Sequence, residues 1–294
     1  PKLRKGKFAY PYNRPRLDIF NAHCDFLIKE NHLNSYHIPE EICHMEFLHD
    51  SISLKSTQGK TFLGKKAVLA LGQADSFNIP TWVCEKSQRV KHLFSRSFKW
   101  ADIEGCETMT VIGGGITAAQ VALYAESKGI KVHLISRHSL RKHQFDSDPA
   151  WLGESFMKTF CDEKNYAQRR SLIQRNRHRG SIPPDLYSQL KHKIDHKKIT
   201  FHKASVVDSQ EREKSIDLFF EKQKILTTQK VILATGFKSL RSGGKMVNEL
   251  IHNYNLPVAP CGFPILKKNL SWHPRLHVMG SLAELEIGPI AKNI

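Results

Sequence analysis

Between residues 108 and 136 the hydrophobic pattern changes period twice. Met109-Thr110-Val111-Ile112 is an unbroken β-prone run. Ala118, Ala119, Val121, Ala122 and Leu123 then follow helical spacing, and Lys131-Val132-His133-Leu134-Ile135 is strand-like again. Gly129 stands where a helix closes on a left-handed residue. Strand, helix and strand within about 30 residues form a βαβ unit. Elsewhere, residues 43–64 and 201–229 alternate apolar and polar positions and turn at polar residues or glycine, which predicts short antiparallel strands. Each of these stretches leads into a similar apolar run, KAVLALG at 66–72 and KVILATG at 230–236, a weak internal repeat. Leu17, Phe20, Cys24 and Leu27 recur at helical spacing and predict a core helix within residues 14–32. Asp148-Pro149 reads as an N-cap followed by the first residue of a helix. The mixture is that of an α/β protein.

Between the first predicted strand and its helix stand three glycines, in the pattern Gly113-x-Gly115-x-x-Ala118. Glycine is costly in regular structure, so bare backbone must be needed there. In a strand-to-helix turn the need is specific: Gly113 permits the sharp turn, Gly115 lets a diphosphate touch the main chain, and Ala118 lets helix and strand pack closely. The helix start at Ile116 and Thr117 offers free N–H groups and the positive end of the helix dipole. Gly114 belongs to the same turn. This is the pattern of a dinucleotide site. The end of the second strand selects the nucleotide. A carboxylate there would bind a ribose 2′-hydroxyl, but the chain has Ser136-Arg137-His138, with no acid before Asp146. A guanidinium at Arg137 suits a 2′-phosphate, which predicts NADP(H) over NAD(H).

Composition narrows the class. The chain has 294 residues, 40% of them hydrophobic and 25% charged, enough for one large or two ordinary domains. Residues 108–125 carry no charge, yet they hold three glycines, several threonines and Gln120, too polar a window for a membrane span. Six scattered cysteines form no CxxC and no zinc-finger spacing with histidine, so no metal site and a reducing, cytoplasmic setting are expected. Cys43 and His44 point to opposite faces of a strand, so Cys43 reads as a core cysteine rather than a nucleophile. The net charge of +17 attracts polyanions without choosing among them.

Three stretches carry a family resemblance: VIGGGITAAQ, the paired endings VLALGQADSFNIP and VILATGF, and the closing LHVMGSLAELEIGPIAKNI. With them the chain resembles the flavin-dependent monooxygenase superfamily, in the branch of the lysine and ornithine N-hydroxylases. FDSDPAWLG and RGSIPPDLY also resemble stretches of that group. The resemblance implies two Rossmann-like dinucleotide-binding domains. An NADP domain, residues 101–236, is inserted in an incomplete FAD domain, of which residues 1–100 and 237–294 are a part. It implies that NADPH reduces FAD, and that the flavin then takes up O2 as a C4a-hydroperoxide that hydroxylates an amine or amino acid. Ala234, Thr235 and Gly236 are implied on the nucleotide side. On the flavin side, Gly280 ends a strand and Ile287-Gly288-Pro289 starts a helix, with Glu284 and Glu286 as polar neighbours. The family's FAD diphosphate loop has no counterpart in these residues. The distance from Gly113 to Gly236, carried back from Gly72, falls before Pro1, so an N-terminally truncated chain is expected.

Other readings stay open. An NADPH-dependent flavin reductase without hydroxylation needs the same residues, and so does a degenerate nucleotide-binding fragment. Residues 168–198 carry nine Lys and Arg against two Asp, the best case for a nucleic-acid module. Tyr187 is the one aromatic there, which does not support base stacking, so a solvated helical hairpin is expected instead. Asp146 and Asp148 are the carboxylates nearest the site that could hold a cationic amine. Catalytic residues, substrate and oligomeric state are not legible.

Overall fold

The computed structural model describes residues 8–9, 14–73, 76–221 and 225–293. The basic first stretch lies largely outside them. The chain divides into two units, Pro1–Glu46 with Ser53–Leu63, and Phe47–Ile52 with Gly64–Ile294.

In the first unit, helix α1 (Leu17–Glu30) forms where the spacing predicts it. Its apolar face is not core, however. None of its residues is buried, and Leu17 and Phe20 are 73% and 53% exposed. Helical periodicity names a face but not what covers it. The alternating stretch gives β1 (Ile42–Phe47), β2 (Ile52–Ser56) and β3 (Thr61–Gly64), a three-stranded sheet in that order. Cys43 sits in β1 but is exposed, contrary to expectation.

The second unit begins with β4 (Ala67–Leu69) and β5 (Val90–His92). Then β6 (Thr108–Ile112), α2 (Ile116–Ser127) and β7 (Lys131–Ser136) form the βαβ unit. Gly129 follows the helix at φ +81°, as its position predicts. Three helices come next, α3 (Glu154–Asp162), α4 (Tyr166–Arg175) and α5 (Pro184–Asp195). After β8 (Ile199–Lys203), an antiparallel meander of β9 (Val206–Glu211), β10 (Ile216–Phe220) and β11 (Ile225–Thr228) leads into β12 (Lys230–Leu233). The chain closes with α6 (Gly244–Tyr254), β13 (Ser271–His273), β14 (Leu276–Val278) and the single turn α7 (Glu284–Ile287).

Five strands build a parallel sheet in the order β8-β7-β6-β12-β5. Its central strand is covered on both faces, which explains the unbroken apolar run: Met109, Thr110 and Val111 are wholly buried. On one face Met109, Val111, Val132 and Leu134 pack against the alanines of α2 and Leu190 of α5. On the other, Ile135, Val231 and Leu233 pack against Ile216, Leu218 and Phe220 of the meander. The fold is α/β with a Rossmann-type parallel sheet. That sheet takes in β5, upstream of residue 101.

A second, smaller sheet has the order β13-β14-β4, with β14 parallel to β4. The internal repeat has a structural counterpart here. Its two copies become β4 and β12, each in a parallel pair and each followed by a glycine at positive φ, Gly72 at +61° and Gly236 at +72°.

Candidate nucleotide-binding site

The strand order of the parallel sheet reverses between β6 and β12, and the crevice at such a switch point is where open α/β sheets take ligands. The glycine turn lies there. Gly113 N–H donates to the Ile135 carbonyl at 2.9 Å, and Ala234 N–H donates to that of Ile112 at 2.8 Å, so the ends of three strands are tied together. Each glycine is needed for space. A β-carbon on Gly113, at φ +152°, would lie 2.4 Å from the Ala234 carbonyl oxygen and 3.1 Å from Cβ of Ala118. One on Gly114 would meet Ser136 Oγ at 2.4 Å, and one on Gly115 would meet Cα of Gly180 at 3.3 Å. Gly115 is the N-cap of α2, and its carbonyl accepts from Ala119 N–H at 3.1 Å. The first-turn N–H groups of α2 have no partner within the helix.

A cleft of about 890 Å³ opens over this turn. It is lined by Gly113, Gly114, Gly115, Ile116, Thr117, Ser136, Arg137, Ala234, Thr235 and Gly236, ten of the positions singled out from the sequence. Ala118 lies beneath it, 1% exposed, where a larger side chain would part helix from strand. Arg137 is exposed at the end of β7.

The cleft also takes in residues the sequence did not single out as contacts. Arg179, Gly180 and Ser181 come from the RGSIPPDLY stretch, and Arg141 from the basic run after β7. They meet because residues 141–142 and 181–182 pair as short parallel strands. Arg141 Nη1 donates to the Arg179 carbonyl at 3.4 Å, and Asp146 and Glu221 are the acids of the lining. Asp148 is an N-cap, as predicted, accepting from Ala150 N–H at 2.8 Å.

The loop after β12 is fixed by two neighbours. Thr235 Oγ1 donates to the Asn78 carbonyl at 2.5 Å, and Asn78 N–H donates to that of Gly236 at 2.9 Å. His92 Nε2 stands 3.1 Å from the same Gly236 oxygen, while Phe94 N–H donates to His92 Nδ1 at 3.3 Å. An accepting Nδ1 makes Nε2 the protonated nitrogen, so the neutral ring satisfies both contacts. Burial pushes the His92 imidazole below its usual range, against the opposing pull of the Gly236 carbonyl. Phe77 stacks on this ring at 4.5 Å.

Gly280, Ile287, Gly288 and Pro289 do not line this cleft. Gly280, at φ +64°, follows β14 and opens a 3-10 turn, Gly280–Ala283. Gly288, at φ +86°, ends α7, and Pro289 opens a second 3-10 turn, Pro289–Asn293, where a regular helix is expected. Ser281 Oγ donates to the Gly72 carbonyl at 3.3 Å, so the glycine endings of β4 and β14 meet.

The solvated hairpin also needs correction. Arg169 and Arg177 have side chains only 7% exposed, and Arg170 is close to that. Arg169 pairs with Glu286 at 3.1 Å; Arg170 and Arg177 each take one oxygen of Glu284. The acids expected as polar neighbours of a flavin are thus held by arginines of the basic stretch. Among the described residues no helix is long and apolar enough to cross a membrane, and no group of three His, Cys, Asp or Glu could hold a metal ion.

A search of curated protein sequences returns no match. Solved structures are similar in fold at low identity. The ornithine hydroxylase of Pseudomonas aeruginosa in its reduced form is 16% identical, with a TM-score of 0.71 over 93% of this chain and 71% of that one. The ornithine N-hydroxylase of Kutzneria sp. 744, solved with reduced FAD, NADP+ and L-ornithine, is 13% identical, with a TM-score of 0.73 over 95% of this chain and 73% of that one. The L-lysine 6-monooxygenase of Pseudomonas syringae is 15% identical, with a TM-score of 0.70 over 96% and 77%. The family model for pyridine nucleotide-disulphide oxidoreductases matches residues 40–246, and the chain belongs to that family of FAD- and NAD(P)-binding oxidoreductases.

Proposed function

We propose that the cleft over residues 113–117 is the seat of NADPH, and that the protein is a flavin-dependent monooxygenase acting on an amine or amino acid. One observation carries the nucleotide half. Gly113 has no room for a β-carbon against the Ala234 main chain, and Gly114 and Gly115 are closely packed, at the switch point of a parallel sheet, under an open cleft with a guanidinium at its rim. Gly113, Gly114 and Gly115 provide the bare main chain, and the N–H groups of Ile116, Thr117 and Ala118 face the diphosphate. Ser136 and Arg137 take the 2′-phosphoribose, and Ala234, Thr235 and Gly236 form the opposite wall. Together these belong to an NADP domain at 101–236.

Residues 1–100 and 237–294 would supply part of an FAD domain, without the family's diphosphate loop. The paired glycine endings of β4 and β14 fit the edge of a second dinucleotide site, with Gly280, Ile287, Gly288 and Pro289 on its ring side. When bound, the flavin supplies hydride acceptance and oxygen chemistry, and the protein supplies orientation. The amine substrate is supported by fold likeness to the ornithine and lysine hydroxylases, and Asp146 is a carboxylate at the cleft rim suited to a cation.

The test is NADPH titration followed by oxygen uptake with and without ornithine, lysine and simple amines, in FAD. NADPH binding with amine-dependent hydroxylation supports the full reading. NADPH oxidation indifferent to amine leaves a flavin reductase, and absence of any nucleotide binding removes both.

A further inference from the structure

Residues 177–181 cross the glycine turn as a strap. Gly180, at φ +68°, is wedged between Gly115 and the ring of His138, whose Nε2 would lie 3.0 Å from a β-carbon there. The outer side of the strap is tied to residues 141–146. His178 N–H donates to the Asp146 carbonyl at 2.7 Å, and His143 N–H donates to that of Ile182 at 3.1 Å. Its inner end is fixed by one buried side chain. Arg177 Nε donates to the Pro289 carbonyl at 3.0 Å, and Nη2 lies 2.6 Å from Glu284 Oε2. The Glu284 side chain is 3% exposed, and its second oxygen pairs with Arg170, whose guanidinium lies 3.9 Å over the Phe263 ring.

A buried ion pair is a poor device for stability, since desolvation offsets most of its attraction; its best-attested use is to fix register. Here the register concerns Arg179 and Gly180, two and three residues beyond Arg177 and lining the cleft. We propose that Arg177 and Glu284 are positioning residues that hold the strap at the height where Arg179 and the Gly180-Ser181 main chain close on the diphosphate of a bound nicotinamide nucleotide. The proposal rests on the nucleotide reading of the cleft. The strap faces the diphosphate because Gly180 touches Gly115, the cap of α2, whereas the adenosine end belongs to Ser136 and Arg137.

Two ligands separate strap from scaffold. NADPH spans the whole cleft, while adenosine 2′-monophosphate reaches only the Arg137 end. In the full chain, Arg177→Gln and Gly180→Ala are each expected to weaken NADPH about tenfold or more, the size of one lost charge-assisted contact. In Arg177→Gln, adenosine 2′-monophosphate, followed by ligand-observed NMR, should keep its affinity within about twofold, because the ion pair acts away from its end; Gly180→Ala is read on NADPH alone, since its β-carbon also meets His138 beside Arg137. Gly180→Ala leaves the ion pair intact, so it tests the strap even if Arg177→Gln does not fold. A folded variant that binds NADPH like the parent overturns the proposal, and so does a parallel loss for both ligands in Arg177→Gln, which would mark a merely structural role. A parent chain that binds neither ligand instead overturns the nucleotide reading itself.

Discussion

Gly113 and Ala234 stand so close that a β-carbon on the first would lie 2.4 Å from the carbonyl oxygen of the second. The oxygen is main chain and a β-carbon is set rigidly on main chain, both at strand ends, so neither can swing aside. Gly113→Ala must push β6 from β12 or abandon φ +152°. We expect a loss on the order of 2–4 kcal/mol, overpacking and strain together, by urea denaturation. Gly129 is the control. Its φ is also positive, at +81°, but nothing lies within 4 Å of its β-carbon, so Gly129→Ala should cost only about 1 kcal/mol. Equal losses would mean that strain alone is at work and that the approach of β6 to β12 is immaterial.

On the proposed reading, Arg137 sets the choice of nucleotide. It is exposed at the tip of β7, where a 2′-phosphate would stand, and lines the cleft. Arg137→Ala should weaken NADPH by about 10- to 100-fold, as expected for a lost bidentate contact to phosphate, and leave NADH unchanged. High salt should shrink the preference of the parent chain, since the contact is solvent-facing. Titration of both nucleotides against both proteins decides it; a parallel loss for NADH would assign Arg137 to the diphosphate instead.

The reach of the sequence can be read from these same residues. Gly113 to Ala118 were legible because everything that gives them meaning is within thirty residues: a strand before, a helix after, a second strand closing the unit. Gly180 and His92 were not. Each acquires its role only when the chain returns to the sheet, Gly180 against Gly115 and His92 against Gly236. The sole sequence signal for Gly180 was the RGSIPPDLY resemblance. Arg169, Arg170 and Arg177 looked solvated because a run of charge does not disclose its partners, and Glu284 and Glu286 lie more than a hundred residues away. With α1 the period was right but the expected face is not core: Leu17, Phe20 and Leu27 are exposed, because burial depends on what packs there, which periodicity does not record.

His92 tests how the wall after β12 is held. His92→Phe preserves the stack on Phe77 but removes both polar contacts, leaving Phe94 N–H and one lone pair of the Gly236 carbonyl without the ring. Losing the two contacts should cost about 1 kcal/mol, the net worth of an ordinary hydrogen bond, since Phe94 is exposed and water can reach its N–H. NADPH affinity should fall as well, since residues 234–236 line the cleft, while Asn78 still holds Gly236 and limits the damage. Thermal denaturation and NADPH titration of the variant check both, and an unchanged affinity would show that Asn78 and Thr235 suffice.

The last expectation concerns pH. His133 on β7 and His202 on β8 place Nδ1 and Nε2 3.1 Å apart, so one ring donates and the other accepts only while a nitrogen stays unprotonated. Burial, then His202 and Lys131, push the His133 imidazole down to about 4. An unfolded histidine titrates near 6.5, so between those values the unfolded chain binds the extra proton. The stabilisation is therefore complete above pH 6.5 and is lost as pH falls toward 4. His92, lowered by its own burial, acts in the same direction. Urea denaturation at pH 7 and pH 5 should show the parent losing stability, and His133→Phe losing less over the same interval. His133 is only partly buried, so the slope should lie below the limit of about 1.4 kcal/mol per pH unit for one proton. Identical slopes in parent and variant would mean that the pair titrates alike in the folded and unfolded chain, and that the 3.1 Å contact carries no protonation penalty.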